Sequence, residues 1–298
     1  MEIPRVIHWE CIEEMKLLPD QSIDLILTDP PYKYLNHKLD RVYDENEFIK
    51  QAYRILKKDG MIVFFGRWYY LSLLLVTAVN HWFKFLEEVV RDKILISSPF
   101  LALGRVHELI IICSKWEWKL NSVKIPYLEM REQEGYNWLV EDIKKIKSAL
   151  KNKEEIPEIL KYIDTSVKTY SMDNKGKHLL TSSQHKEIKR SFWTIVSLFE
   201  GMKEKSIIRV NKEHYKFEHP TQKPVKLMER LLDLVSKPWD IILDPFAGSG
   251  STWIACMNED RKAILIEIDE EYNKVIEDRI KEKLDNTNPT PSGLFEIN

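Results

Sequence analysis

The residues best suited to chemistry are Asp29, Pro30, Pro31 and Tyr32, which directly follow an apolar run from Ser22 to Thr28. Two consecutive prolines fix two φ angles and remove two N–H donors, so backbone carbonyls are left exposed as acceptors. Asp29 and the Pro30 carbonyl can each accept one hydrogen of an amino group, while Tyr32 stacks on the ring that carries it. A proline turn that merely ends a strand would look the same. The motif by itself therefore indicates either a site for a ring amine or a structural turn.

A second motif, DPFAGSGST from Asp244 to Thr252, joins an apolar run to a helical pattern. Gly248 and Gly250 allow a ligand to approach the backbone closely, and the helix N-terminus offers N–H groups. The motif is a Rossmann-type nucleotide turn without the third glycine of GxGxxG, and an acid at its start would repel a pyrophosphate. Asp244 instead favours a cationic ligand with an amino group. Glu267 lies 23 residues further on, after the next apolar run, where an acid can hold a ribose diol.

The elements that position these motifs alternate between strands and helices at both ends of the chain, which predicts an α/β fold with a parallel sheet. A helix is expected from Glu45 to Lys57, ended by Gly60, and a strand from Met61 to Phe65. From Trp116 onward the periodicity weakens, so we expect an inserted domain. The predicted organisation is one half of the main domain over 1–115, the insert over 116–217, the other half over 218–285 and a loose tail over 286–298.

The composition is that of a globular protein, with 298 residues, 44% of them hydrophobic, and a formal net charge of −2. Cys11, Cys113 and Cys256 lie far apart without a CxxC pair, which argues against a disulfide framework or a zinc site and for a reducing cytoplasm. The N-terminus lacks an apolar signal core, and the longest apolar stretch, Tyr69 to Val79, is too short to cross a bilayer. We therefore expect a cytoplasmic protein with no metal ion and no membrane partner.

The charge is unevenly distributed along the chain. Between Lys161 and Phe217, twelve lysines and arginines stand against six acidic residues, whereas the rest of the chain is acidic. Such a segment is typical of a phosphate-binding face, although a solvated helix surface has the same composition. Within it, Lys186, Lys189 and Arg190 are the predicted phosphate contacts. The neighbouring Trp193 belongs either to the core of the insert or to a platform that stacks on bases.

Four segments together resemble a known family, the DNA amino-methyltransferases in the permuted order called the beta class. They are TDPPY (Thr28 to Tyr32), HPTQKP (His219 to Pro224), DPFAGSGST (Asp244 to Thr252) and IEID (Ile266 to Asp269). They occur in the family's order and spacing, and the resemblance covers about 6–115 and 217–283 but not the middle, where family members differ. Because the glycine turn follows DPPY, the chain is similar to a circular permutation that begins at the third strand of the sheet.

The resemblance implies a Rossmann-like, circularly permuted S-adenosylmethionine-dependent methyltransferase fold with an inserted target-recognition region. It implies transfer of a methyl group from S-adenosylmethionine to the exocyclic N6 of an adenine that is flipped out of double-stranded DNA. DPPY usually goes with adenine in this family and Ser-Pro-Pro-Tyr with cytosine. The expected catalytic residues are therefore Asp29, Pro30, Pro31 and Tyr32. The target amine is a poor nucleophile because its lone pair is delocalised, so transfer needs mainly positioning and electrostatics.

The cofactor pocket implied by the resemblance draws on both ends of the chain. Thr221 and Lys223 would meet the methionine carboxylate, although a plain capping loop is the alternative. Glu10, after Trp9, stands where the family usually has Gly-Asp, whose acid contacts the cofactor's adenine amino group. The full expected set is Glu10, Thr221, Lys223, Asp244, Phe246, Ala247, Gly248, Ser249, Gly250, Thr252, Glu267 and Ile268.

Three other functions stay open from the sequence. A cytosine-N4 methyltransferase would share the fold, and an RNA adenine methyltransferase would share the chemistry. A non-catalytic DNA-binding relative should lack the acid of DPPY, so the presence of Asp29 argues against it. A homodimer and a cognate restriction endonuclease are open as further partners. The expected location is the cytoplasm of a bacterial, archaeal or phage-infected cell, close to its nucleoid.

Overall fold

The computed structural model describes residues 4–32, 41–93, 104, 106–116, 119–134, 136–151, 156–165, 186–210 and 222–287. It divides into two compact units, of which the first comprises Met1–Asn121 with Lys205–Asn298 and the second Ser122–Glu204. The second unit is narrower at both ends than the insert expected over 116–217.

Specific contacts explain where the two boundaries between the units lie, after Asn121 and before Lys205. The Asn121 side chain donates to the backbone carbonyls of Asp233 and Ser236, at 2.8 Å each, and so fixes the chain to the first unit before the insert starts. After the insert, the short segment Ile207–Arg209 joins the sheet of the first unit as an edge strand. Its three residues are too few to show a period, so the sequence pattern did not predict it.

One eight-stranded sheet forms the centre of the first unit. Its strands are β1 (Arg5–His8), β2 (Ile23–Thr28), β3 (Leu56–Gly66), β4 (Lys84–Asp92), β5 (His107–Ser114), β8 (Ile207–Arg209), β9 (Ile241–Asp244) and β10 (Lys262–Glu267). The second unit contains a small antiparallel pair, β6 (Lys124–Ile125) and β7 (Met202–Lys203).

The helices alternate with these strands in the first unit and follow one another in the second. Those of the first unit are α1 (Cys11–Leu17), α2 (Glu45–Ile55), α3 (Trp68–Asn80), α8 (Val225–Val235), α9 (Ser251–Asn258) and α10 (Glu270–Thr287). Those of the second are α4 (Tyr127–Glu134), α5 (Tyr136–Ala149), α6 (Ile156–Thr165) and α7 (Lys186–Glu200).

The strand order across the sheet is β1-β10-β9-β2-β3-β5-β4-β8. From β1 to β3 every neighbouring pair is parallel, and β5 then runs antiparallel to both β3 and β4. The order of the strands reverses between β9 and β2, which pair although they come from opposite ends of the chain. In open α/β sheets, ligands bind outside the carboxyl ends of the strands at such a switch point. The predicted α/β fold is confirmed.

Continuous apolar runs build the core, because a strand in the middle of a covered sheet buries both of its faces. In β2, the side chains of Leu25, Ile26 and Leu27 are all fully buried. Helices α1, α2 and α3 contribute buried residues to the same cluster as Ile26. In the other half, α8 packs on α9, which contacts β10. The sheet thus holds the carboxyl ends of β2 and β9 in fixed positions.

The boundary between α2 and β3 differs from the prediction. The helix ends at Ile55 rather than Lys57, and the strand begins at Leu56 rather than Met61. Leu56 is fully buried and pairs with Ile23, so tertiary packing ends the helix before the predicted glycine break. The register then shifts along β2, and residues 57–60 form an irregularity in the ladder.

The second unit has a small core of its own, formed by Ile159, Tyr162, Ile195 and Val196. Across both units, no helix in the described ranges is long and apolar enough to cross a membrane. No group of three or more residues suited to hold a metal ion occurs among the residues that the structure describes.

Candidate active site

The two sequence motifs meet at the switch point of the sheet, where β2 and β9 end side by side. The Thr28 hydroxyl, at the end of β2, donates to Oδ1 of Asp244, at the end of β9, over 2.9 Å. Both side chains are buried. The bond fixes the DPPY turn against the glycine turn, although 216 residues separate the two partners.

The glycine turn after β9 depends on backbone that glycine adopts most readily. Gly248 and Gly250 have φ angles of 52° and 77°, in the left-handed region. A Cβ on Gly250 would also lie 3.2 Å from a side-chain carbon of Ile276 on α10. The turn is closed by hydrogen bonds from Gly250 N–H to the Ala247 carbonyl and from Ala247 N–H to the Ile266 carbonyl. Glycine at these two positions therefore meets a backbone requirement of the turn, and at Gly250 also a packing requirement.

Asp244 is the internal anchor of the turn. In addition to Thr28, its carboxylate accepts hydrogen bonds from the Thr252 hydroxyl and from Phe246 N–H, the latter at 3.2 Å. Burial raises the pKa of Asp244 to about 6, and the two hydroxyl donors offset only part of that rise. Its predicted contact with a cofactor is untested, but its role in joining β9, β2 and α9 is evident.

Glu267 ends β10 and faces the same turn. One oxygen accepts Gly248 N–H at 2.8 Å, and the other accepts Asp269 N–H at 2.9 Å. Burial raises the pKa of Glu267 above its ordinary value, against the lowering effect of these backbone donors. The two carboxylate oxygens have four lone pairs between them, so at least one acceptor site remains for a ligand hydroxyl beside the backbone donors of Gly248, Ile268 and Asp269.

The edge of the pocket is formed by β1, which pairs in parallel with β10 so that His8 lies opposite Glu267. Glu10 comes two residues later as the N-cap of α1, where its Oε2 accepts Glu13 N–H at 2.9 Å. Ile268 directly follows β10 and is 40% exposed. Its carbonyl oxygen lies 3.1 Å from the His8 ring nitrogen Nε2. The N-cap role explains why an acid stands at position 10. Contact between Glu10 and a cofactor stays a prediction.

The other cofactor candidates of the glycine turn are enclosed by packing. Ala247 and Ser249 are buried, and the Phe246 ring lies 5.0 Å from Tyr43 and 5.6 Å from Phe48, centroid to centroid. The Ser249 carbonyl accepts a hydrogen bond from Arg279 on α10. The turn is thus held from both sides.

The DPPY turn presents a carboxylate whose two oxygens are both engaged. The Tyr32 hydroxyl donates to Oδ1 of Asp29, and the Lys223 ammonium donates to Oδ2. The Tyr32 ring also lies 5.9 Å from the Tyr70 ring. Lys223 comes directly before Pro224, the N-cap of α8, and its side chain is buried. Lys223 was expected at the cofactor carboxylate, and the structure places it at Asp29.

A second acid, Glu108, also lies close to Lys223, and the sequence pattern did not indicate a role for it. Its Oε1 is 3.4 Å from the Lys223 ammonium, and its Oε2 accepts a hydrogen bond from Arg91 at 3.0 Å. Burial would lower the pKa of Lys223, but Asp29 and Glu108 outweigh it and raise that pKa above its ordinary value. Lys223 is therefore a charged ammonium held between two carboxylates.

The remaining predicted site residues are not part of this arrangement. Thr221 lies outside the described residues, as do the side chains of Lys186, Lys189 and Arg190, whose backbone forms the start of α7. Trp193 is partly buried and packs against the core of the second unit, which favours the core interpretation over a stacking platform.

Comparison with known proteins gives the family. The model of the N6/N4 methyltransferase family, described as DNA methylase, matches residues 23–278. The chain is 28% identical to the type II methyltransferase M.HinfI of Haemophilus influenzae, over 98% of this chain and 72% of that protein. It is 26% identical to the DNA adenine methyltransferase YhdJ of Escherichia coli K12, over 92% of this chain and 81% of that protein.

The crystal structure of M1.HpyAVI in complex with S-adenosylmethionine has the same fold, with a TM-score of 0.54 and 20% identity, over 92% of this chain and 98% of that one. The family match covers both halves of the sheet and the switch point at which Asp29, Asp244 and Glu267 meet. The chain belongs to the N6/N4 DNA methylase family and is an S-adenosylmethionine-dependent methyltransferase.

Proposed function

We propose that the protein transfers a methyl group from S-adenosylmethionine to the exocyclic N6 of adenine in double-stranded DNA. The observation that carries this proposal is the position of Asp29, which Tyr32 and Lys223 hold at the end of β2, beside the glycine turn after β9. Relatives that include an adenine methyltransferase support the choice of base.

Asp29 and Pro30 would orient the target amine. An ionised carboxylate is purely an acceptor, and each of its oxygens has a lone pair beyond those that Tyr32 and Lys223 occupy. With one N–H on Asp29 and the other on the Pro30 carbonyl, the nitrogen lone pair is less delocalised into the ring and is directed toward the sulfonium methyl group. Asp29 is also placed to take the proton that the amine releases after transfer. The adenine must leave the duplex stack, which costs a few kcal/mol.

The residues of the glycine turn fit S-adenosylmethionine. Glu267 keeps acceptor sites for the ribose hydroxyls, and the left-handed backbone at Gly248 and Gly250 leaves room for the cofactor beside the turn. S-adenosylmethionine supplies an electrophilic methyl group on a sulfonium ion. The chain's own task is to hold that cofactor in line with the oriented amine.

The second unit is the proposed DNA-reading part, with Lys186, Lys189 and Arg190 at the start of α7 as phosphate contacts. This assignment depends on the basic composition of the segment. The proposed setting is the cytoplasm of a bacterium. A homodimer and a cognate restriction endonuclease stay predictions of the family resemblance.

The test is to incubate the purified protein with unmethylated genomic DNA and labelled S-adenosylmethionine, then digest the DNA to nucleosides for mass spectrometry. N6-methyladenine is the expected product, and it should be absent with the Asp29→Ala variant. N4-methylcytosine as the product would overturn the choice of base. Label in a matched RNA substrate with none in the DNA would overturn the choice of nucleic acid. Sequencing of the modified bases would then give the recognition site.

A further inference from the structure

A buried group of five charged residues extends from the proposed catalytic acid into the sheet. From Asp29, the chain of contacts passes to Lys223, then to Glu108, and from there to Arg91 and Lys93. The side chains of Lys223, Glu108 and Arg91 are each less than 10% exposed, and Lys93 is 12% exposed. We call this group the charge array.

Most of the distances in the charge array are short. The Lys223 ammonium donates to Asp29 and is 3.4 Å from Glu108, which in turn is 3.0 Å from Arg91 and 3.8 Å from Lys93. The ammonium also lies 4.9 Å from the centre of the Phe65 ring, on β3. Strands β3, β4 and β5 and the N-terminus of α8 thus all contribute to holding one lysine.

Such an array is costly unless every member is paired, because burying charge carries a large desolvation penalty. The pKa of Glu108 reflects this balance. Burial would raise it, but Lys223, Lys93 and Arg91 together lower it to about 2. Conversely, burial lowers the pKa of Lys93 to about 8. The array pairs three cations with two carboxylates, and the Nε and Nη2 atoms of Arg91 have no hydrogen-bond partner within the described structure.

The array reaches Asp29 at its Oδ2 atom, through Lys223. Tyr32 holds one oxygen of Asp29 by a hydroxyl, whereas Lys223 holds the other by an ammonium. A carboxylate fixed at both oxygens has a defined plane, and its remaining lone pairs accept hydrogen bonds in defined directions. Both properties are what the amine-orienting role of Asp29 demands.

We propose that Lys223 is a positioning residue for Asp29 and that Glu108 holds Lys223 in that place. The proposal rests on the proposed function, since it gives a role to residues behind the acid of the same site. It differs from the sequence-based expectation that Lys223 serves the cofactor carboxylate. An ammonium has three donors, and Asp29 and Glu108 account for two of them.

The charge array predicts an effect that a merely structural role would not have. Without the Lys223 ammonium, Oδ2 of Asp29 loses its partner and the plane of the carboxylate is no longer fixed, so kcat should fall while the affinity for S-adenosylmethionine is kept. Without the carboxylate of Glu108, Lys223 loses one of its two acidic neighbours but keeps the other, so kcat should fall by less. Arginine in place of Lys223 keeps a positive charge beside Asp29 and should restore part of kcat.

The experiment compares Lys223→Met, Lys223→Arg and Glu108→Gln, with Lys226→Met as a control on the exposed side of α8. Lys223→Met should lower kcat by about tenfold or more, and Glu108→Gln should lower it by less. Lys223→Arg should recover part of kcat, because it keeps the charge. Calorimetric titration of S-adenosylmethionine should give a Kd within several-fold of the wild type for every variant. Lys226→Met should leave kcat unchanged.

Two results would overturn the proposal. One is a loss in Lys223→Met that lies entirely in the Kd for S-adenosylmethionine, which would make Lys223 a cofactor ligand. The other is a Lys223→Arg variant that is no more active than Lys223→Met. Thermal unfolding identifies any variant that fails to fold, and Glu108→Gln, which keeps the side-chain shape, still tests the array if Lys223→Met does not fold. Failure of the proposed function is separate, since it would appear as the absence of N6-methyladenine with the wild type.

Discussion

The two sides of the switch point hold their carboxylates in different ways. On the side of β9 and β10, Asp244 and Glu267 accept hydrogen bonds from hydroxyls and backbone N–H groups, all of them neutral. On the side of β2 and β5, Asp29 and Glu108 are held by an ammonium and a guanidinium. Neutral donors fix the position of an acid without supplying charge, whereas cations also keep it ionised.

The difference corresponds to the two tasks of the site. A ribose diol needs an acceptor in a fixed place, which backbone donors provide. An acid that orients an amine and later takes its proton needs a defined charge as well. Four variants or sets of variants test how far this comparison holds.

The largest effect is expected on the cationic side. Asp29→Ala should abolish methyl transfer while it leaves the affinity for S-adenosylmethionine within several-fold, because the carboxylate is proposed to face the target amine. Asp29→Asn should fail almost as badly, since an amide lacks the charge and can direct an N–H toward a donor. Initial rates with labelled cofactor are the measurement. Turnover near that of the wild type would remove Asp29 from the chemistry.

The neutral side should respond in binding. Glu267→Ala should weaken S-adenosylmethionine by about 1.5–3 kcal/mol for each hydrogen bond to a ribose hydroxyl that is lost. Glu267→Gln, which keeps one acceptor oxygen, is the milder control. Calorimetric titration without DNA measures both. Unchanged affinity in Glu267→Ala would mean that this acid only braces the turn through Gly248 and Asp269.

Cations in the second unit are expected to affect the binding of DNA and not the binding of the cofactor. Neutralising Lys186, Lys189 and Arg190 together should lower the slope of log affinity for DNA against log salt by about 0.9 for each lost phosphate contact. The affinity for cofactor should stay the same. The matched control is the neutralisation of Lys144, Lys147 and Lys151, exposed residues of the same unit. An equal slope in both triple variants would leave α7 without a special role in DNA binding.

The last prediction concerns the free energy of unfolding, which should depend on pH in opposite directions on the two sides of the switch point. The pKa of Glu108 is lowered to about 2, so its contribution is complete above its ordinary value near 4.5 and is lost as the pH falls through 2. The pKa of Asp244 is raised to about 6, so the folded state is favoured at low pH and loses stability as the pH rises from 3.8 through 6.

Urea unfolding between pH 3 and 8 would measure this contrast in Glu108→Gln and Asp244→Asn. The difference in unfolding free energy from the wild type should change with pH in opposite directions, by up to about 3 kcal/mol. Parallel changes in the two variants would show that both acids are held in the same way, and the comparison would fail.

What the sequence predicted well is local. The DPPY and glycine turns each lie within nine residues, and their strands are long apolar runs, so strand ends, turns and helix starts follow from short patterns. The helix Val225–Val235 and the strand Lys262–Glu267 are examples of elements whose bounds coincide with such patterns. Both are set by apolar periodicity between clear breaks.

What the sequence could not show is pairing over distance. Thr28 and Asp244 meet across 216 residues, and Lys223 meets Asp29 across 194. Glu108 looks like an ordinary charge at the start of a strand, and only its burial against Arg91 gives it significance. The one available signal was an acid at the second position of the strand HELIIICS, directly before its apolar run and next to β3.

The pairing of β9 with β2 also affects how the chain is made. Ile241 N–H donates to Asp24 at 2.9 Å, yet these residues are 217 positions apart. Until β9 emerges from the ribosome, the edge of β2 that later pairs with β9 has unpaired backbone groups. At about 5–20 residues per second, this lasts roughly 10–45 s for every molecule. Since open strand edges promote aggregation, chains truncated before residue 241 should accumulate as insoluble material.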